Sequence, residues 1–476
     1  LNVVNSSLAT GVVPREWKHA LVTPIPKGKS ATKPSDTRPI SILPAIMKLV
    51  ERIVQSQLTD YLEQNHLLSD AQHGYRKQRS TETALHAVTD RALQAMDNGN
   101  ICILVLLDLT KCFDVVPHAK LLEKLSAYGV DVTWFRDYLA HHTQQVQIRS
   151  ADGTTLLSDS KDNDIGVFQG GALSCVLYMI FSNDLCLCVP PDVTIVQFAD
   201  DTQLMVTGRK CYIDRLIARM EHALACVFQW FCHNGMRLNT AKTKMLVIGT
   251  PAMLRGLAPV TLDFCATNIT ESKTVKNLGV MLDRHLSYEP HVDTVTQKCT
   301  GMLLALMHAR HVIPRSALRS IVQSLVISVL RYCLSVYGSC GEMQLRRLQK
   351  VLKFCARVVT GKRRRDSVTA VIRQLKWLPA RQLADYHTVC AVQRVIVSGQ
   401  PECLRSTIGQ RVGQRHQHDT RSANLFTLPS IRTEAGRRRL CYRGVAQLNV
   451  LKVDPRLSTF RAKIMKILRS IPESVA

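Results

Sequence analysis

Three acidic side chains stand where strand-like runs of the chain end, and their spacing is suited to metal-dependent chemistry. Asp108 follows the β-prone apolar run 101–107, and Asp200 and Asp201 follow the run 193–198. If these strands are neighbours in one sheet, three carboxylates converge at one edge and raise one another's pKa unless a cation neutralises them. Oxygen-only ligands suit Mg²⁺ or Mn²⁺, and two such ions support in-line phosphoryl displacement.

The same acidic residues also have an ordinary structural interpretation. A pair of Asp residues in a turn is common hairpin chemistry, because the short polar side chains stabilise the turn and remain solvated. A single Asp at the end of a strand is weak evidence for a site as well. The surrounding pattern has to decide between a metal site and a polar turn.

The elements that must position these carboxylates alternate between helices and strands. Short apolar runs typical of strands are 101–107, 193–198, 203–207, 244–249 and 275–282. The acidic turn joins the second run to the third as a hairpin. Helical periodicity precedes and interleaves these runs and dominates the C-terminal half. This order predicts an α+β fold with a mixed or antiparallel sheet.

Composition indicates the class of partner. The 476 residues include 62 Lys and Arg against 37 Asp and Glu, a formal net charge of +25. Such a charge predicts attraction to a polyanion, most simply nucleic acid, with an anionic membrane surface or a merely basic surface as alternatives.

The 46% hydrophobic content excludes a disordered tail protein. The 16 cysteines contain no Cys-x-x-Cys pair, which argues against a zinc module and favours reduced thiols inside the cell.

Seven segments between residues 17 and 282 resemble the reverse transcriptase of non-LTR retrotransposons, of the LINE-type, Jockey-like group. The Phe-Ala-Asp-Asp segment at 198–201 is the clearest example, because Phe-Ala before the two aspartates is typical of the group. Any one segment is modest evidence, but seven in the family's order are strong. The matching segments are 38–41, 73–81, 107–114, 166–173, 198–201, 238–243 and 277–280.

The resemblance implies a right-hand polymerase with a small antiparallel palm sheet, followed by a mostly helical basic C-terminal region. The fingers would occupy 1–100 and the palm 101–285, with the reverse transcriptase domain at about 15–283. A helical thumb would occupy 286–360 and grip the template–primer duplex through its phosphates. The remaining residues, 361–476, have no role that we can name.

The resemblance also implies the catalytic residues. Asp108 and Asp200 would be the main ligands of two Mg²⁺ or Mn²⁺ ions, and Asp201 would complete or tune the site. Lys242 would place an ammonium group near the departing pyrophosphate as a charge stabiliser or proton donor. No acidic residue of the family's pattern is missing.

The implied substrate contacts are of three kinds. Phe113 would lie under the incoming sugar, where its ring leaves no room for a 2′-hydroxyl; a core phenylalanine is the alternative. Arg76 and Arg79 would clamp the triphosphate or the template backbone, unless they are only exposed loop residues. The substrate-binding set that the resemblance implies is Arg38, Arg76, Arg79, Phe113, Gln169 and Gly170.

Three positions depart from the family's pattern. Phe168 stands where the family usually has Pro, Gly171 where it usually has Ser, and Cys112 where it usually has Ala. We expect the loop before Gln169 to be less rigid, which would affect nucleotide affinity more than metal binding.

The function implied is an RNA-directed DNA polymerase that extends a primer 3′-hydroxyl with dNTPs and copies retrotransposon RNA. Its partners would be RNA template, DNA primer or target and dNTPs, without a membrane or an obvious protein partner. A catalytically inactive nucleic-acid-binding relic and an RNA-dependent RNA polymerase are the alternatives. We expect a fragment, with any endonuclease upstream, that resides in the nucleus or in a cytoplasmic ribonucleoprotein.

Overall fold

The fold was described from a computed structural model, which covers residues 2–28, 33–109, 111–150, 152–265, 267–412 and 424–471. It has the predicted α+β character, with small sheets among many helices. The strands of these described residues, β1 to β13 in chain order, are His19–Pro26, Thr37–Ile42, Ile101–Leu107, His142–Arg149, Thr155–Leu157, Lys161–Asn163, Thr194–Phe198, Asp201–Gly208, Lys244–Ile248, Thr261–Phe264, Thr267–Thr270, Thr274–Asn277 and Val280–Asp283.

The helices divide into a group that surrounds the strands and a longer C-terminal series. Within the same described ranges they are, as α1 to α20, Asn2–Thr10, Ala45–Gln64, Thr81–Asp97, His118–Ala127, Thr133–Leu139, Ser174–Phe181, Leu185–Cys188, Ile213–His233, Pro251–Leu254, Glu289–Ala309, Arg315–Ile321, Ser328–Arg331, Leu334–Tyr337, Glu342–Thr360, Thr369–Gln374, Ala380–Ser398, Glu402–Arg405, Glu434–Arg437, Leu440–Leu451 and Phe460–Ser470. A π-helical segment, Val322–Ile327, lies between α11 and α12.

A four-stranded antiparallel sheet in the order β7-β8-β3-β9 carries the acidic residues. Its central strand β3 is rich in branched apolar residues, which favour a pleated buried surface. Side chains alternate between the two faces of a strand, so β3 contributes to two hydrophobic cores. Ile103 and Val105 pack into the core with α6 and α8, whereas Cys102 and Leu104 pack into the core with α3 and the C-terminal helices. The prediction of a strand buried on both faces is confirmed.

Two strand predictions need correction. The run 275–282 forms a hairpin of β12 and β13, paired only with each other, because Gly279 (φ 86°) turns the chain back in its middle. A second sheet, β2-β1-β4-β5 with β6 beside β4, contains none of the predicted strand runs. The sequence of β4, His142–Arg149, is mostly polar and offers little apolar alternation to detect.

The helical predictions in the N-terminal half are confirmed. Helix α3 begins at Thr81 with Ser80 as its N-cap: the Ser80 hydroxyl accepts from the Thr83 backbone in a capping box. The apolar stretch 172–189 forms the buried helix α6 and the short helix α7, in which Leu185 is buried and Leu187 is exposed. No helix within the described ranges has both the length and the apolar character needed to cross a membrane.

The C-terminal helices are anchored on one side of α3. The Glu82 carboxylate pairs with Arg394, and both carboxylate oxygens of Asp90 accept from the Leu440 backbone N–H at 3.0 Å. Asp97 accepts from the Thr433 backbone N–H at 2.7 Å and from the Thr433 hydroxyl. Helices α10 to α20 share one hydrophobic core with α3 and one face of the four-stranded sheet. The division into fingers, palm, thumb and C-terminal region therefore stays a prediction.

Candidate active site

The strand register brings the three acidic residues to one end of the sheet. β3 pairs antiparallel with β8 as far as Leu107 opposite Thr202, so Asp108 comes next to Asp201 when the register is continued. Side chains of opposed residues in an antiparallel pair point to the same face. β7 pairs with β8 up to Phe198 opposite Asp201, which leaves Asp200 in the turn. The predicted convergence of strand ends is present.

The carboxylates affect one another electrostatically. Desolvation, followed by the negative charges of Asp200 and Asp108, raises the pKa of Asp201 to about 6. Asp201 is exposed at the surface, and the two neighbouring negative charges oppose its ionisation there. A divalent cation would remove this repulsion, as expected of an oxygen-only donor set for Mg²⁺ or Mn²⁺.

Two of the carboxylates have protein partners. An Asp108 oxygen lies 3.6 Å from the Lys242 ammonium, and the Cys112 thiol donates to Asp200 Oδ2 at 3.2 Å. Burial and the charge of Asp200 raise the pKa of Cys112, so this thiol remains a donor. In the described part of the chain, no three His, Cys, Asp or Glu side chains are close enough to form a ready metal cluster. Residues 108, 200 and 201 have the right chemistry for the ions, and their side chains would have to come closer together to share them.

Lys242 reaches Asp108 because the chain after Gly235 returns to the end of β3. Leu109 forms an isolated antiparallel bridge with Leu238, and the Asn239 N–H donates to the Asp108 carbonyl at 2.9 Å. A single helical turn, Thr240–Lys242, then projects the ammonium, which is 66% exposed. The predicted catalytic Lys242 is therefore beside the carboxylates and accessible to solvent.

Phe113 has a supporting ring beneath it. The Phe113 ring is half-buried, and its centroid lies 4.8 Å from that of the fully buried Tyr178 on α6. The Phe113 carbonyl accepts from the Val167 N–H at 2.7 Å, which joins it to the loop that carries Gln169. A ring supported by Tyr178, on a backbone held by Val167, is suited to a steric role, and its contact with a sugar stays a prediction.

The loop 166–172 is fixed by contacts with Asp114 and with Ser41 on β2. Gln169 Nε2 donates to Asp114 Oδ1 at 2.9 Å, and the Gln169 carbonyl accepts from the Ser41 N–H at 2.7 Å. Gly170 has φ 114°, and a Cβ there would lie 2.9 Å from the Ser41 carbonyl oxygen. Only glycine combines this conformation with so close an approach. Gln169 and Gly170 therefore face β2 and Asp114 in this arrangement.

The departures at Phe168 and Gly171 are accommodated by their neighbours. Phe168 is buried, and its ring makes an edge contact with the His142 ring at 4.5 Å. A Cβ at position 171 would lie 2.7 Å from Ser174 Oγ and 3.0 Å from Glu51 Oε1, so glycine fits this site better than serine. The expected loss of rigidity is thus countered by packing.

The predicted phosphate clamp by Arg76 and Arg79 is wrong in this structure. Arg76 donates to both carboxylate oxygens of Glu63, at 2.8 and 2.7 Å, and its side chain is 5% exposed. Arg79 pairs with Asp70 and donates to Gln400 Oε1 at 2.8 Å, with a side chain that is 1% exposed. Buried guanidinium groups need such partners, and these partners leave none of their surface for a triphosphate. Arg38 is exposed on β2, and its role stays a prediction.

Three residues near the carboxylates were not predicted as part of the site. Cys112 was judged only as a small buried residue, yet it binds Asp200. Burial, followed by the nearby Cys175 and Asp200, raises the pKa of Tyr75, which places its phenol near the site. Gln72 contacts the turn at 199 and is buried. Tyr75 lies within the motif segment 73–81 and Gln72 just before it, and neither carries a charge that would indicate a role beside the carboxylates.

Comparison with known proteins agrees with this geometry. Residues 25–282 match the family described as reverse transcriptase (RNA-dependent DNA polymerase). The chain is 28% identical over 372 residues to the RNA-directed DNA polymerase from mobile element jockey of Drosophila melanogaster, covering 75% of this chain and 39% of the relative. It is 27% identical over 376 residues to the probable RNA-directed DNA polymerase from transposon BS of Drosophila melanogaster, covering 75% and 40%.

The chain thus spans about two fifths of the length of the curated relatives it matches. Among solved structures, apo telomerase from Candida Tropicalis gives a TM-score of 0.39 at 12% identity, covering 83% of this chain and 70% of that one. The similarity to the curated relatives, at 27% and 28% identity, is the stronger of the two kinds of similarity.

Proposed function

Because the chain belongs to the reverse transcriptase (RNA-dependent DNA polymerase) family, we propose that it extends the 3′-hydroxyl of a primer with dNTPs by copying an RNA template. The proposal depends above all on the convergence of Asp108, Asp200 and Asp201 at one sheet edge, where their charges act on one another. The template is proposed to be retrotransposon RNA and the primer a DNA end. The formal net charge of +25 supports polyanion binding.

The proposed mechanism assigns each residue a task. Asp108, Asp200 and Asp201 would hold two Mg²⁺ or Mn²⁺ ions, which when bound activate the primer hydroxyl and neutralise charge on the phosphates. Lys242 would leave Asp108 and donate toward the departing pyrophosphate. Phe113, supported by Tyr178, would exclude a 2′-hydroxyl from the sugar site. The nucleus or a cytoplasmic ribonucleoprotein stays our prediction for where this takes place.

Primer extension with and without chelator tests this function. We expect the chain to incorporate dTTP on poly(rA)–oligo(dT) with Mg²⁺ or Mn²⁺, and EDTA to abolish incorporation because the carboxylates cannot act without cations. The same preparation should bind the duplex, measured by fluorescence anisotropy. Duplex binding without any incorporation under either metal would identify the inactive relic instead.

Phe113→Ala separates a DNA polymerase from an RNA polymerase. Removal of the ring opens space for a 2′-hydroxyl, so the preference for dTTP over UTP should fall by at least about tenfold, the scale of a lost steric contact of one to two kcal/mol. The measurement is kcat/KM for each nucleotide on the same template–primer. Leu122→Ala, a half-buried residue of α4, is a control for lost packing. An unchanged preference in Phe113→Ala would mean that this ring is only a core residue.

A further inference from the structure

The buried side chain of Gln72 connects the turn before Asp200 to a neighbouring loop. Its Oε1 accepts from the Gly74 N–H at 2.7 Å and from the Ala199 N–H at 3.0 Å. Its Nε2 donates to the Ala199 carbonyl at 3.3 Å. Gln72 is 1% exposed, so water does not compete for these bonds. One amide group therefore satisfies both backbone polar groups of Ala199.

Ala199 has a backbone conformation that needs such support. Its φ is 56°, in the left-handed region that costs a residue with a Cβ about 1–2 kcal/mol. It is one of only two residues between the paired positions Phe198 and Asp201, and the other is Asp200. Strained residues of this kind persist where the surroundings fix them. The direction in which Asp200 leaves the turn thus depends on what holds Ala199.

The loop that carries Gln72 is itself fixed against β7. The His73 N–H donates to the Gln197 carbonyl, and the Gln197 N–H donates to the Ala71 carbonyl, both at 2.8 Å. Gly74 lies so close to the turn that a Cβ at this position would overlap the backbone nitrogen of Ala199. The backbone hydrogen bonds to β7 and the absence of a Cβ at Gly74 set the distance between this loop and the turn at Ala199. The side-chain amide of Gln72 bridges that distance.

We propose that Gln72 is a positioning residue that holds Ala199 left-handed and so directs Asp200 and Asp201 toward Asp108. The proposal rests on the function proposed above. Gln72 contacts neither the carboxylates nor, by its burial, a substrate, and it acts through the turn alone. Its loss should therefore weaken cation binding and turnover more than it weakens nucleotide binding.

Gln203 provides a matched control in the same hairpin. It is also 1% exposed, and its Oε1 accepts from Asn277 Nδ2 at 2.7 Å, away from the turn. Gln72→Met and Gln203→Met each remove the hydrogen bonding of a buried side-chain amide, with little change in side-chain volume. Each variant is compared with wild type in thermal stability, in Mn²⁺ affinity from the EPR signal of free ion, and in kcat and KM for dTTP.

We expect Gln72→Met to lower Mn²⁺ affinity and kcat by about 10–100-fold, the usual effect of residues that orient metal ligands, with KM for dTTP nearly unchanged. Gln203→Met breaks one hydrogen bond against three in Gln72→Met, so it should lose less stability. It should leave Mn²⁺ affinity and kcat within about threefold, because its bond is remote from the turn. Equal effects in the two variants would overturn the proposal. If wild type binds Mn²⁺ but incorporates nothing, the polymerase function fails, and the Mn²⁺ comparison still tests Gln72.

Two further variants test whether Gln72 acts by holding Ala199 in its left-handed conformation. Ala199→Gly in the Gln72→Met background should recover about fivefold in kcat, because glycine takes the left-handed conformation without the Cβ penalty. No recovery would mean that Gln72 does not act through this strain. If Gln72→Met is unfolded at the assay temperature, Gln72→Glu replaces it. That variant keeps the bonds accepted from Gly74 and Ala199 and loses the donation to the Ala199 carbonyl, so a smaller loss of Mn²⁺ affinity is expected and none would overturn the proposal.

Discussion

Asp200→Asn should abolish nucleotide incorporation and leave duplex affinity almost unchanged. The substitution removes a negative charge and a metal-binding oxygen from a site where three carboxylates act together. Loss of several kcal/mol of transition-state stabilisation corresponds to at least about a thousandfold in rate. Duplex affinity depends mainly on contacts of Lys and Arg with phosphates, which the substitution does not touch. Single-turnover extension and duplex anisotropy at one salt concentration measure the two effects.

Asp192→Asn is the control for this prediction. Asp192 lies just before β7 and pairs with Arg219 on the surface, where both side chains are at least one third exposed. Its loss should leave extension within about twofold, since exposed ion pairs contribute at most about 1 kcal/mol to stability. If Asp200→Asn lost duplex binding as severely as activity, the residue would have to be regarded as structural and the metal site abandoned.

The carboxylate convergence was predictable because it follows from local features of the sequence. A seven-residue apolar run that ends in Asp108 has few options other than a central strand. The run before Asp200 and the run after Asp201 are separated by so few residues that a hairpin must join them. Once both belong to one antiparallel sheet, the acidic residues lie at the same end. The apolar runs and the hairpin between them are therefore enough to predict that the three carboxylates lie together.

The orientation of the basic loop could not be predicted in this way. A run containing Arg76 and Arg79 looks the same whether the guanidinium groups bind phosphate or bind Glu63 and Asp70. Which partner Arg76 binds depends on where the end of α2, with Glu63, lies in space, and the spacing of residues in the loop does not reveal this. The strand β4 was missed for a related reason, since its residues are mostly polar and its partner β1 is distant in sequence.

Arg79 nevertheless belongs to the site indirectly. Its guanidinium donates to the Gln72 carbonyl at 3.3 Å and to Gln400 Oε1 at 2.8 Å. The Gln72 side chain in turn holds the turn at Ala199. Residues after α16 are thus joined to the turn at 199–200 through two buried polar side chains, which connects the C-terminal part of the chain to the four-stranded sheet.

Glu51→Ala should cost about 2–4 kcal/mol of unfolding free energy. The Glu51 side chain is fully buried on α2, where Oε1 accepts from the Tyr138 hydroxyl at 2.6 Å and Oε2 from the Ala172 N–H at 2.7 Å. Removal leaves two buried donors unsatisfied, each at about 1–3 kcal/mol, and opens a cavity, while release from burying a charge offsets part of the cost. The shift of the urea midpoint, multiplied by the wild-type slope, measures this loss of unfolding free energy.

Asp60→Ala on the same helix is the control. It breaks only the exposed pair with Lys77 and should cost less than about 1 kcal/mol.

The pH dependence gives this prediction a second readout. Burial raises the pKa of Glu51 above its usual 4.5, although the bonds from Tyr138 and Ala172 oppose the shift. The folded state therefore binds the proton more tightly than the unfolded state, so the contribution of Glu51 to stability is greatest below pH 4.5 and is lost as the pH rises through the folded pKa. Glu51→Gln, which keeps one acceptor and cannot ionise, should lose less stability than Glu51→Ala and should remove this dependence. If the wild-type midpoint instead rose over that interval relative to Glu51→Gln, the carboxylate would be stabilised in its ionised form, and the bonds to Tyr138 and Ala172 would outweigh its burial.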